Sequence, residues 1–400
     1  MRIAAVNISD YGSTGKIMLG IAEEARKRGH EVRTFSRGWF GTTEREGHRY
    51  FGIPVEHAAH HALGYVTGDE GSGSIISTLM LIEELKKFRP DVLHLHNLHG
   101  WYLDLPMLFG YIKKNDVRTI WTLHDCWAFT GHCPYFDFTG CSKWKGKCSG
   151  CPVYRAYPGS LFDNSRKMHA RKKKWFSGIG DMTLVCPSEW LSGLVRSSFM
   201  GGYPVRVIHN GIDTGIFSYR ESDFRDVYGI RENEKIVLGV AFDWEKRKGI
   251  DVFPQLEDML GEDYRIVLVG TDGSGFDMLS ERTVCIPRTA DQTELAEIYS
   301  AADVFVNPSR EDNYPTVNME ALSCGTPAAV FDTGGSPESV LDGCGAVVPK
   351  NDIRALADAV REIVSAGPDR AGISRKAAGS FDVSVMTDGY LGLLEGDADV

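Results

Sequence analysis

Four hundred residues are too many for one ordinary core and suit two α/β domains of roughly 200 residues each. Hydrophobic residues make up 42% and charged residues 24%, which excludes a disordered or fibrous chain. No apolar run approaches the roughly 20 residues needed to span a bilayer. Residues 1–200 hold 26 Lys+Arg against 19 Asp+Glu, whereas residues 201–400 hold 18 against 35. This asymmetry implies two functional surfaces, the basic one facing something anionic. The basic residues are not interleaved with aromatics in a nucleic-acid-binding pattern, so a membrane surface or a phosphorylated acceptor fits better and no nucleic acid is expected.

The N-terminal stretch MRIAAVNIS has no signal-peptide centre and reads as a first strand, so the expected location is cytoplasmic. Residues 3–8 precede a Gly/Ser loop at 9–15 and a helical pattern to Lys27, closed by Gly29 before a strand at 31–35. PDVLHLH and RTIWTLHD are further strands. The pattern breaks at residues 126–160, a loop rich in Cys, Gly, aromatics and Lys, and resumes with MTLVCPS and VRVIHNGID. A second series runs KIVLGVA, YRIVLVG, ADVFVNPS, TPAAVFD. Strands alternating with helix-length segments predict mostly parallel sheets. The expected plan is two Rossmann-like doubly wound halves, 1–203 and 204–380, facing across a cleft, with a helix at 381–400 packing back toward the first. Ligands of such sheets bind at the carboxyl ends of the strands.

The segment SREDNYPTVNMEALSCGTP (309–327) follows a strand and leads into a helix, with Pro315 near its first turn. Backbone amides from Asn313 to Val317, through Tyr314 and Thr316, would form an anion site reinforced by the helix dipole. Glu320 lies on that helix, eight residues after Asp312.

GSTGK (12–16) is not a phosphate loop: Asp10 stands where the motif needs Gly, and Ile17 where it needs Ser or Thr. His94, His96 and His99 lie on a strand and its following loop without a matched carboxylate shell, which favours packing and cleft-lining over metal binding. Cys133, Cys141, Cys148 and Cys151 form C-x7-C-x6-C-x2-C, whose closing pair is typical of zinc knuckles. Structural zinc, packed reduced thiols and redox chemistry all remain open there. Arg166, Lys167, Arg171, Lys172, Lys173 and Lys174 crowd into nine residues, suggesting a basic helix face that docks on anionic lipid.

PSREDNYPTVNMEALSCGTPAAVF resembles the Glu-x7-Glu segment of glycosyltransferase family 4, of GT-B fold. The resemblance extends through GHEV, WTLHD, PSEWL, VIHNGID, the Lys248-Gly249 pair, LVG, IYSAADVFVNPS and TGGSPE. HDCWAFTGHC…GCSKWKGKCSGCP is similar to the colanic acid and related exopolysaccharide glycosyltransferases. It implies a retaining, metal-independent hexosyltransferase that moves a sugar from a UDP- or GDP-sugar to a saccharide or lipid-linked acceptor, with no cofactor needed for catalysis. Glu320 would then bind the donor ribose, Lys248 its diphosphate, and His124 the donor sugar or acceptor, while Gly12 and Gly15 would belong to a flexible loop facing the ligands. Two positions depart from the family: Asp312 stands for the first Glu, and Asp243 for an Arg, leaving Arg247 as the nearest substitute cation. The Asp-x-Asp of metal-dependent transferases occurs only at Asp397 and Asp399. The rivals are a GT-B-fold nucleotide-sugar epimerase and a catalytically inactive assembly protein.

Overall fold

The computed structural model describes residues 1–39, 42, 45–274 and 276–396; Asp397 and Asp399 lie outside them. The chain forms two compact units, Asn210–Met386 and the remainder on either side of it.

The first unit is built on a seven-stranded parallel sheet: β1 (Arg2–Val6), β2 (Glu31–Arg37), β3 (His48–Phe51), β4 (Val92–Leu95), β5 (Arg118–Thr122), β6 (Met182–Cys186) and β7 (Val205–Val207), in the order β3-β2-β1-β4-β5-β6-β7. Parallel strands are covered on both faces, and β1 and β4 accordingly read as unbroken apolar or buried runs. The expected boundary at 203/204 is corrected to 209/210, because Val205–Val207 pairs with β6 and completes the first sheet. The second boundary moves too, from 380/381 to within the helix Val383–Glu395. From Thr387 on, that helix belongs to the first unit. There Arg118 donates to the carbonyls of Leu393 and Leu394, each at 2.7 Å, complementing the negative end of the helix.

The second unit repeats the plan with six parallel strands: β8 (Lys235–Val240), β9 (Tyr264–Val269), β10 (Val284–Ile286), β11 (Val304–Asn307), β12 (Ala328–Phe331) and β13 (Gly345–Val348), ordered β10-β9-β8-β11-β12-β13. In both sheets the strand order reverses between two central neighbours, β1 and β4 in one, β8 and β11 in the other. The loops leaving the carboxyl ends of such a pair diverge to opposite sides and leave a crevice where ligands bind. Lys248 follows β8 and Asp312 follows β11, so both sequence-predicted residues fall at this switch point.

Among the described residues, no helix is long and apolar enough to cross a membrane.

Candidate active site

In the second unit, the chain leaves β8 through a single 3-10 turn, Lys246–Lys248, closed by Gly249 at φ 79°. A side chain at Gly249 would place its Cβ 2.3 Å from the Pro308 carbonyl oxygen, so glycine permits the loops after β8 and β11 to touch. The Lys248 ammonium meets the Asp312 carboxylate at 2.5 Å, and the other Asp312 oxygen accepts from the Asn313 amide at 3.0 Å. Arg310 fastens the same loops through both Asp251 oxygens, at 2.7 and 2.9 Å. A third loop grips Asp312 from behind. Its carbonyl accepts from the Gly335 amide at 3.1 Å, and a Cβ on Gly334 would lie 1.8 Å from that oxygen.

Arg247 binds the Glu245 carboxylate at 2.7 Å and the Glu311 carbonyl at 3.2 Å. The substitute cation is thus engaged in joining the two loops. Pro315 caps the helix Thr316–Ser323 rather than opening it. The Asn313 amide serves Asp312, which leaves the first-turn amides from Thr316 onward as the anion-facing group. Glu320, one turn further, accepts from the buried Tyr299 hydroxyl at 3.1 Å. Tyr314 is buried in the core of this unit.

Sequence reasoning missed the network beneath. Asn318 accepts from Asn307 at 2.8 Å and donates to Ser336 and Ser339 at 3.1 and 2.8 Å. It ties the end of β11 to the helix and to the TGGSPE loop. A polar residue buried in a helix (Asn318 is 0% exposed) was the available signal.

In the first unit, Gly12 and Gly15 belong to the helix Gly12–Lys27 rather than to a flexible loop. Gly15 packs so tightly that a Cβ would lie 2.6 Å from the Asp10 carbonyl carbon. The link across the switch point is Asn7, which accepts from the Asn97 amide at 3.1 Å and donates to the Ser9 carbonyl at 2.8 Å.

His124 follows β5, its Nε2 3.1 Å from Nδ1 of His96, with the two rings stacked at 5.4 Å. His94 lies 4.1 Å beyond His96 and shares a 2.9 Å hydrogen bond with Thr122. Burial holds these imidazoles neutral, pushing His94 down to about 3, His124 to about 4, and His96 well below its usual value. His99 behaves oppositely. Burial disfavours its charge, but Asp125 at 2.9 Å and Glu70 at 4.0 Å outweigh that and hold it above its usual value. His99 therefore has the carboxylate shell that the sequence did not reveal, because Glu70 comes from 29 residues away in the chain.

Residues 126–160 fold as short 3-10 turns around Phe129, Phe136 and Trp144. Cys133, Cys141, Cys148 and Cys151 line one cavity within it, and all are free thiols. Among the described residues, no group of three or more His, Cys, Asp or Glu stands at the distances at which it could hold a metal ion.

The basic helix Ser165–Phe176 corrects the expectation of one continuous charged face. Lys172 is 1% exposed, donating to the Trp127 carbonyl at 2.7 Å and lying 3.4 Å over its ring. Burial pushes its pKa down to about 7. Arg171 is taken up by Asp69 and Ser72. Arg166, Lys167, Lys173 and Lys174 are exposed.

Residues 14–215 match the family model described as Glycosyltransferase Family 4, and residues 221–379 match Glycosyl transferases group 1. The glycosyl transferase WcaC of Escherichia coli (strain K12), named for colanic acid biosynthesis, is 28% identical over 76% of this chain and 75% of its own length. Among solved structures, sucrose-phosphate synthase from Thermosynechococcus elongatus superposes with a TM-score of 0.70 at 18% identity, covering 98% of each chain. Anabaena HepE in complex with UDP does so with a TM-score of 0.67 at 15% identity, covering 99% of this chain and all of its own. The chain belongs to glycosyltransferase family 4, its two parallel-sheet domains are those of the GT-B fold, and it is a homologue of a colanic acid biosynthesis transferase.

Proposed function

We propose that this glycosyltransferase moves a hexose from a nucleoside diphosphate-sugar to a saccharide acceptor, with retention at the anomeric carbon, in assembly of a surface polysaccharide. The observation that carries the reading is the Lys248–Asp312 pair at the β8/β11 switch point, beside the N-terminus of the helix Thr316–Ser323. A departing nucleoside diphosphate gains negative charge as the glycosidic bond breaks. A fixed ammonium and the helix amides meet that charge, and a phosphate oxygen of the leaving group takes the acceptor's proton on the same face. Asp312 accepts hydroxyls of the donor sugar, and Glu320 those of the ribose. The UDP complex of HepE, alike in fold, supports a nucleotide donor. His124, kept neutral, contacts the sugar or acceptor through hydrogen bonds rather than charge.

Lys248→Ala removes a cation whose partner charge grows toward the transition state, so kcat falls roughly 100- to 1,000-fold while donor affinity changes less. Glu320→Gln weakens donor binding instead, because the ribose is unaltered by the reaction. Asp312→Glu, which restores the residue usual in the family, lowers activity, because Lys248 and the Asn313 amide already close around the shorter arm. Steady-state kinetics check all three; unchanged transfer in both Lys248→Ala and Asp312→Ala would remove the site from this crevice.

A lipid-linked acceptor places the enzyme peripherally at a membrane. Arg166, Lys167, Lys173 and Lys174 supply the basic surface, roughly 1 kcal/mol each near anionic lipid. The same unit exposes Val55 and Phe162, each to 67%, and Val66 to 46%. Changing the four basic residues to Glu should weaken cosedimentation with anionic vesicles at least 100-fold, whereas equal binding would contradict the docking. Lys172, being structural, is left intact.

The neutral histidines set an acid limit. Unfolded, they take a proton near 6.5; folded, His94 and His124 do so only near 3 and 4. Their contribution is full above about pH 6.5 and is lost as pH falls through 6.5 toward 4. His99, raised, runs the other way but is one group. Thermal melts should show Tm falling steadily as pH drops below 6.5; a Tm rising toward pH 5 would contradict the neutral stack.

A further inference from the structure

The cysteine-rich segment at 126–160 plays no part in the donor chemistry, and its fold is unusual for its length. It has no helix beyond three 3-10 turns and no strand. Such a segment ordinarily needs a staple. Its four cysteines, Cys133, Cys141, Cys148 and Cys151, come from well separated points and line a single cavity of about 10 Å³, room for about one water or one ion. Cys133 and Cys151 already hydrogen-bond to each other through their thiols. The Cys148 sulfur accepts from the Gly131 amide at 3.2 Å, as a thiolate ligand commonly does. Gly131 has no room for a side chain, since a Cβ there would lie 2.2 Å from the Ser165 carbonyl oxygen.

A second observation points to a ligand in the same place. His132 lines this cavity, is 7% exposed, and has no hydrogen-bond partner at Nε2. Backbone groups of Ala156 and Tyr154 hold the ring. The loop is also braced from outside: Lys143 donates to the Ser149 and Gly150 carbonyls at 3.0 and 2.8 Å, and Asp163 accepts from the Cys151 amide at 2.9 Å. These bonds fix the closing C-x2-C turn. Lys172, buried within electrostatic reach of Cys133 and Cys148, offsets negative charge in a cavity that is otherwise apolar.

We infer that this cavity binds one structural zinc ion through the thiolates of Cys133, Cys141, Cys148 and Cys151, with the His132 imidazole packed beside them. The four thiols share one small cavity without yet standing at ligand distance from a common point. Binding releases their protons and contracts the sulfurs to about 2.3 Å around the ion. Four thiolates fill a tetrahedron and leave no position for substrate, so the ion holds the loop and takes no part in transfer. Disulfides would satisfy the same cysteines in an oxidising compartment, and the experiment separates the two.

Full-length protein purified under reducing conditions and desalted should carry about one equivalent of zinc by elemental analysis. Cobalt exchanged for it should give the intense sulfur-to-metal and d–d bands of a tetrahedral tetrathiolate. Cys148→Ser/Cys151→Ser should lose the metal, and Cys285→Ser in the second unit should keep it. Should the double variant not fold, wild-type protein treated with a chelator should melt at lower temperature and recover on adding zinc alone. Folded wild-type protein without zinc, and with a melting temperature indifferent to chelator and zinc, would overturn the inference. So would five or seven titratable thiols rather than nine in denaturant, or Cys141→Ser holding zinc as tightly as wild type.

Discussion

The Lys248–Asp312 ion pair is the interaction on which the organisation of the second unit turns. It joins the loops that leave two neighbouring strands, β8 and β11, at the one place where the sheet reverses its winding. An ion pair still partly open to solvent contributes little stability by itself, so its meaning lies in position. Everything around it serves to keep two opposite charges at a fixed place beside a helix N-terminus. Gly249 lets the loops approach, Arg310 clamps them, and the Gly334-Gly335 turn holds the Asp312 carbonyl. Preorganised charge of this kind is what charge transfer to a leaving group requires, since no reorganisation is needed when the bond breaks.

The first unit handles polarity differently. At the ends of β4 and β5 it buries a row of imidazoles and keeps them neutral by desolvation. Beside them it buries ionisable groups and pairs them: His99 with Asp125 and Glu70, and Lys172 over Trp127. Paired buried charges cost desolvation and gain specificity of arrangement only if every member is satisfied. Glu70 accordingly accepts from the Trp127 indole and from the Gly100 amide at 3.1 Å. The cysteine-rich segment is anchored through this cluster, because Trp127 belongs to both and holds Lys172 through its carbonyl. The unit thus offers an uncharged, hydrogen-bonding surface where His124 stands.

The central strands were legible in the sequence because burial on both faces writes them as apolar runs. The strands that escaped notice, β3, β10 and β13, are all edges of their sheets. They are three or four residues long, and one-sided cover leaves no hydrophobic run to read. The domain boundary slipped for the same reason, β7 being a three-residue edge strand. Among site residues, Asp312, Glu320 and Lys248 stood out because their motif carries fixed spacing within one loop and helix. Asn7, Glu70 and Asn318 did not, because their partners come from distant segments and their types are common. Lys172 was misread outright. A run of basic residues looks like one charged face, yet helical geometry turns every fourth position inward, and here the inward position is paired with an aromatic ring.

A structure of the enzyme soaked with a nucleoside diphosphate tests the central claim most directly. The account predicts the diphosphate within hydrogen-bonding distance of Lys248 Nζ and of the amides opening the helix Thr316–Ser323, with the ribose hydroxyls on Glu320. A diphosphate bound elsewhere, with the Lys248–Asp312 pair unapproached, would contradict it.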